Sequence, residues 1–128
     1  MFHYTVETVM SMNEAALKLE RQLQEDKFGV LWQFDVKEKL QEKGLDFTDD
    51  FLIFEVCNPK EAKEVLSQNK LMGYFLPCKM VLYTDENKTK IGMPKPTEFV
   101  KLLNDETLEQ KAQEIEQRLI SCMDRTVS

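Results

Sequence analysis

The seven residues Phe51–Cys57, FLIFEVC, are apolar at nearly every position, and Asn58 and Pro59 follow at once. A strand with one wet face alternates apolar and polar residues, so an apolar run this continuous marks a central strand covered on both faces. It cannot continue past Asn58. An Asn side chain suits a helix N-cap, Pro59 suits the first helical position because its missing N–H has no bond to lose there, and Glu61 falls at the third. Ala62, Val65 and Leu66 then supply the buried stripe of a helix ending near Asn69. A central strand that turns directly into a helix requires flanking strands on both sides and helices to cover it.

The rest of the chain supplies them. Phe2, Tyr4 and Val6 alternate with His3, Thr5 and Glu7, the period of a strand. Ser11-Met12-Asn13-Glu14 reads as a capping box, and Met12, Ala16, Leu19 and Leu23 follow at helical spacing to about Lys27. Gly29 is expected to end that helix with a positive φ. Val30, Trp32 and Phe34 on one side, with Leu31, Gln33 and Asp35 on the other, predict a second strand. A short helix closed by Gly44 and a loop through Asp50 lead into Phe51. After a connecting loop over Leu71–Leu76, Pro77 opens a strand from Cys78 to Thr84, and Thr89 to Met93 returns antiparallel. Pro94 to Thr97 break the sheet and start a short helix bearing Phe99, Leu102 and Leu103. In the last helix Leu108, Ala112, Ile115, Leu119 and Cys122 recur at spacings of four, three, four and three.

With no repeat, linker or low-complexity segment, residues 1–128 are expected to form one domain. Its predicted class is α+β: a mainly antiparallel sheet of about five strands backed on one face by two long helices, with short helices inserted. Phe2, Tyr4, Val6, Val30, Trp32, Phe34, Leu52, Phe54 and Val56 are assigned to the helix-covered face. His3, Thr5, Glu7, Gln33, Asp35, Glu55 and Cys57 fall on the other, together with Leu31, Phe51 and Ile53. A half-apolar open face is either a dimer interface or the floor of a ligand cleft, and the commoner outcome, a homodimer, is expected.

Composition removes several function classes. The chain carries 17 basic and 23 acidic residues for a net charge of -6, with lysines scattered among glutamates. A nucleic-acid partner needs a concentrated basic patch, so none is expected. The three cysteines form no C-x-x-C pair, the pattern of a reduced protein rather than a disulfide framework. The N-terminus lacks a signal-peptide pattern, and no apolar run approaches the ~20 residues of a membrane span, so a cytoplasmic location without membrane contact is expected. There is no G-x-G-x-x-G, phosphate-binding loop, G-x-S-x-G or H-E-x-x-H, and the single histidine argues against a His-based triad. A hydrolase or nucleotide enzyme is not expected, a non-enzymatic role is the favoured expectation, and these patterns leave any cofactor unidentified.

The candidate site is the pair Cys57 and Cys78, with Glu55 and Asn58 beside them. In an antiparallel arrangement Cys57 ends one strand and Cys78 begins its neighbour, which brings the thiols to one edge. The start of the helix at Asn58 favours a thiolate at Cys57 by only ~0.3–1 kcal/mol, and burial opposes it. The pair is open to three readings: a small-ligand or soft-metal site for copper(I) or zinc, a dithiol–disulfide redox pair, or two structural thiols in an interaction subunit. Glu55, a carboxylate inside an apolar strand, either pairs with Lys79 or Lys90 or lines a pocket floor. Cys122 lies on a buried stripe and His3 on a polar face, so neither is an expected site residue.

The segments MFHYTVET, FGVLWQFDVKEKLQEKGLDF, EVCNPKEA, GYFLPCKMVLY and IGMPKPT, in this order, resemble the bacterial domain of unknown function 302 family over essentially the whole chain. The paired CNP and LPC segments are the most specific part. The resemblance implies a curved antiparallel sheet backed by helices, similar in architecture to TATA-binding-protein-like α+β domains. It implies no DNA binding and no particular activity.

Overall fold

The computed structural model describes every residue from Met1 to Ser128. The chain runs β1 (His3–Thr8), α1 (Met12–Glu25), β2 (Gly29–Asp35), α2 (Val36–Glu42), β3 (Phe51–Cys57), α3 (Pro59–Gln68), a 3-10 turn (Lys70–Tyr74), β4 (Cys78–Asp85), β5 (Lys88–Pro94), α4 (Pro96–Val100), a second 3-10 turn (Lys101–Leu103) and α5 (Glu106–Val127). The five strands form one open antiparallel sheet in the order β1-β5-β4-β3-β2. The α+β class is therefore the one the sequence predicts, and the apolar strand β3 is an interior strand. None of the helices is long and apolar enough to cross a membrane.

Local chemistry sets the element ends. Ser11 Oγ accepts from the Glu14 N–H at 3.2 Å, and Asp105 Oδ1 caps α5 through the Leu108 N–H at 3.2 Å. The end of α1 differs from the sequence expectation. Lys27, at φ 66°, takes the left-handed position assigned to Gly29, which instead begins β2. The Lys27 N–H donates to Gln24 O and the Phe28 N–H to Leu23 O, a Schellman closure whose hydrophobic partners are Phe28 and Leu23. Burying Phe28 there outweighs the steric cost of a lysine with positive φ.

Most of the core lies between the sheet and the two long helices. Phe54, Met80, Leu82, Ile91 and Met93 face Leu19, Leu23, Leu119 and Met123, all fully buried or nearly so. A second, smaller cluster of Val65, Met72, Val100, Leu108 and Ala112 fills the end of the molecule where α3, α4 and the first half of α5 meet. Here α4 has no cap of its own. Glu116 of α5 supplies it, Oε1 accepting from the Thr97 N–H at 3.1 Å and the Thr97 hydroxyl at 2.8 Å.

Three aromatic assignments are corrected. Between Val30 and Trp32 the β2–β3 register shifts, so Val30 opposes Val56 but Trp32 opposes Glu55 and Phe34 opposes Ile53. The bulge at Leu31 moves Trp32 and Phe34 to the open face, where their rings stack at 5.4 Å and Trp32 is 51% exposed. Phe2 precedes β1 and is 56% exposed. Beyond Trp32 and Phe34, the open face carries a second stacked pair, Phe51 with Tyr83 at 5.3 Å.

Candidate functional site

The site begins where β3 stops. Asn58 Oδ1 accepts from the Glu61 N–H at 3.2 Å, so α3 starts at Pro59 as its residues require. The α3 helix and the 3-10 turn make a detour away from the sheet, and the chain returns through Pro77 to begin β4 directly beside β3, with Cys78 opposite Val56. This detour, α4 and the N-terminal half of α5 enclose a cavity of about 340 Å³ against the ends of β3, β4 and β5. Of its 23 lining residues 15 are hydrophobic, so its walls favour an apolar occupant. Val56 and Cys78 contribute from the sheet, Val65 and Met72 from the detour, and Leu108 and Ala112 from α5. Tyr74, also lining, is 84% exposed and marks the mouth.

One wall is charged. Glu61 lies on the buried stripe of α3 and is only 9% exposed. Its Oε1 takes the Arg118 guanidinium at 2.5 Å and the Lys111 ammonium at 3.2 Å, while Oε2 is buried without any hydrogen-bond partner. Arg118 is held in turn by a bond from Nη2 to Asp26 O at 2.9 Å and by stacking 4.7 Å over the Phe28 ring. Lys111 also approaches Glu64 at 3.7 Å and Glu114 at 3.8 Å. Burial alone would lower the Lys111 pKa, but the contact with Glu61 and the charges of Glu61, Glu114 and Glu64 outweigh it and raise it. The ammonium form is thus secured.

The thiol pKa values are also raised, which for a thiol favours the neutral form. Burial and then the Glu61 charge raise Cys57, and burial, Cys57 and Glu61 raise Cys78 to about 11. At neutral pH Cys78 is held as the neutral thiol. Both are free thiols. Since Cys78 pairs with Val56, the strand pleat directs Cys57 to the opposite face of the sheet from Cys78.

All four residues singled out from sequence, Glu55, Cys57, Asn58 and Cys78, line the cavity. Glu55 stands opposite Lys79 in the register, whereas Lys90 pairs with Asp85 at 3.0 Å. No group of three or more His, Cys, Asp or Glu side chains is gathered as a metal-ligand set. Cys122 lies in the main core, its Sγ 3.4 Å from Asp26 Oδ2, and His3 bonds Thr5 through Nδ1 at 2.9 Å on β1. Sequence reasoning recognised Glu61 only as a helix-start residue and passed over Lys111 and Arg118. A signal was present: Glu61 is four residues before Val65, on the stripe meant for burial, and Lys111 and Arg118 stand seven apart on one face of α5.

The fold and site together define an α+β protein with an open antiparallel sheet and an apolar cavity, walled on one side by an ion cluster, at the sheet's end. The model of the domain of unknown function DUF302 matches residues 2–126, and the chain belongs to that family. It is similar to the crystal structure of an uncharacterized conserved DUF302 protein from Bacillus stearothermophilus, at 57% identity and a TM-score of 0.95, over 98% of each chain. No curated protein matches it.

Proposed function

We propose that this protein is a small-molecule-binding module whose ligand, compact and mainly apolar, occupies the cavity at the Cys57/Cys78 edge of the sheet. The observation that carries this reading is the cavity itself, about 340 Å³ with mostly hydrophobic walls and a few polar groups at one side. Binding pockets have that make-up, at roughly 300–1,000 Å³. Soft-metal and dithiol roles require thiolates, which burial disfavours at Cys57 and Cys78. The three free cysteines suit a reducing compartment such as the cytoplasm.

The test is a titration of the isotopically labelled protein with n-butylbenzene, followed by amide NMR. Signals of Val65, Met72, Leu108 and Ala112 are expected to shift saturably, and Ala112→Leu to suppress the effect by filling the space. Saturating probe without shifts at those amides rejects the reading.

A second reading concerns the open sheet face, where two stacked aromatic pairs leave Trp32 half exposed. On that ground we infer that two copies pair through this face. Light scattering should then show a dimer that Trp32→Ser with Phe34→Ser converts to monomer; a monomeric parent protein rejects it.

A further inference from the structure

The charged groups on the cavity wall offset one another. Two are acidic, Glu55 and Glu61, and two are basic, Lys79 and Lys111. Lys111 is bound to Glu61 at 3.2 Å, and Glu55 stands opposite Lys79 in the β3–β4 register. The one unbonded carboxylate oxygen, Glu61 Oε2, has almost no accessible surface and so lies beyond a ligand's reach. A charged ligand would leave water here without gaining an uncommitted counter-charge, which is costly. Ligands rich in hydrogen-bonding groups fare little better. Pro77, Pro94 and Pro96 bring no N–H to the wall, and Asn58 Oδ1 is committed to its helix cap.

What the wall offers instead is polarisable surface. Phe28, Phe75 and Phe99 line it, the last two tilted at 30° with ring centroids 6.1 Å apart, and Cys57, Cys78 and Met72 add three sulfurs. Aromatic rings attract a further ring edge-on or offset, and sulfur attracts a ring at its edge, both beyond the area buried. A saturated hydrocarbon gains neither. Size narrows the choice further: an apolar cavity of roughly 150 Å³ holds one benzene ring, so one of about 340 Å³ has room for two. We infer that the cavity takes a neutral aromatic molecule of two rings, seated against Phe75, Phe99, Met72 and Cys78. The inference rests on the proposed binding role and narrows its ligand to one chemical class.

Calorimetric and NMR titrations at pH 7 test it with 2-naphthol and three counterparts: decahydro-2-naphthol, which is saturated, 2-naphthoate, an anion, and 2-naphthylmethylamine, a cation. n-Butylbenzene is the reference for the binding role. 2-Naphthol is expected to bind about tenfold tighter than the saturated alcohol, and tighter than either ion by at least about as much. Phe75→Leu with Phe99→Leu, which keeps the wall apolar, should lose most of the preference for the aromatic alcohol while the saturated one still binds. The ligand comparison is made on the unaltered protein, so it decides the matter even if that variant does not fold. Butylbenzene binding without 2-naphthol binding, equal binding of the two alcohols, tighter binding of either ion, or a preference unchanged in the folded variant overturns the inference and leaves the binding role standing. If neither butylbenzene nor 2-naphthol binds, both fall.

Discussion

The two hydrophobic clusters share one helix but are built to different ends. The C-terminal half of α5 packs Leu119, Cys122 and Met123 into the larger cluster, where sheet and long helices meet with side chains at 0% exposure. Its N-terminal half places Leu108 and Ala112 in the smaller one, and there the opposing elements stand back to leave a cavity. The larger cluster is closed by a sheet face, a continuous surface that two helices can cover completely. The smaller is closed by short pieces, α3, α4 and two 3-10 turns, whose hydrophobic residues are too few to fill the space they surround. Close packing is concentrated in the first region and open space in the second.

The largest expected effect that could break this contrast is a large-to-small change. Leu119→Ala in the larger cluster should cost about 4–5 kcal/mol in chemical denaturation, whereas Leu108→Ala beside the cavity should cost about 2–3 kcal/mol. Equal losses for this matched deletion would mean that both clusters are packed alike. The reverse change sharpens it: Ala15→Leu, at 0% exposure in the larger cluster, should destabilise by about 1–3 kcal/mol through overpacking, while Ala112→Leu should be neutral or stabilising by denaturant midpoint.

Each region also contains one thiol raised to about 11, Cys78 at the cavity and Cys122 in the main core. Burial is the leading cause in both, and hydrogen bonding to Asp26 adds to it at Cys122. The unfolded thiols ionise first, near the ordinary value of 9.0, so the unfolded state holds fewer protons and stability falls as pH rises from about 9 to 11. Below 9 the contribution is fully present. The slope is at most about 1.4 kcal/mol per pH unit for each thiol, and Cys78→Ala and Cys122→Ala should each remove its share in urea melts at pH 8 to 11. The smallest effect lies at the closure of α1, where Lys27→Gly should raise stability by up to about 1 kcal/mol in the same melts, because glycine adopts the left-handed conformation without steric cost.

Much of the fold was legible because it depends on neighbours in sequence. The Ser11 and Asn58 caps, the stripe of α5 and the interior position of β3 follow from spacing within a few residues. The bulge at Leu31 was not. Val30, Trp32 and Phe34 alternate cleanly, Leu31 is as apolar as they are, and nothing local marks the inserted residue. Only pairing with β3 decides the register, and one extra residue exchanges the faces of all that follow. The left-handed residue at the end of α1 was likewise chosen by the burial of Phe28 rather than by the glycine two positions beyond Lys27.

The candidate site divides in the same way. The sequence determined that Glu55, Cys57, Asn58 and Cys78 come to one edge, because a strand end, a helix cap and a strand start are local features joined by an antiparallel return. Tertiary structure alone decided that this edge borders a cavity, that burial pushes its thiols further toward the neutral form, and that Glu61 keeps one oxygen without a donor. Those properties depend on burial and on Lys111 and Arg118, the latter 57 residues from Glu61. Desolvation and charge act through space, and spacing along the chain does not encode them.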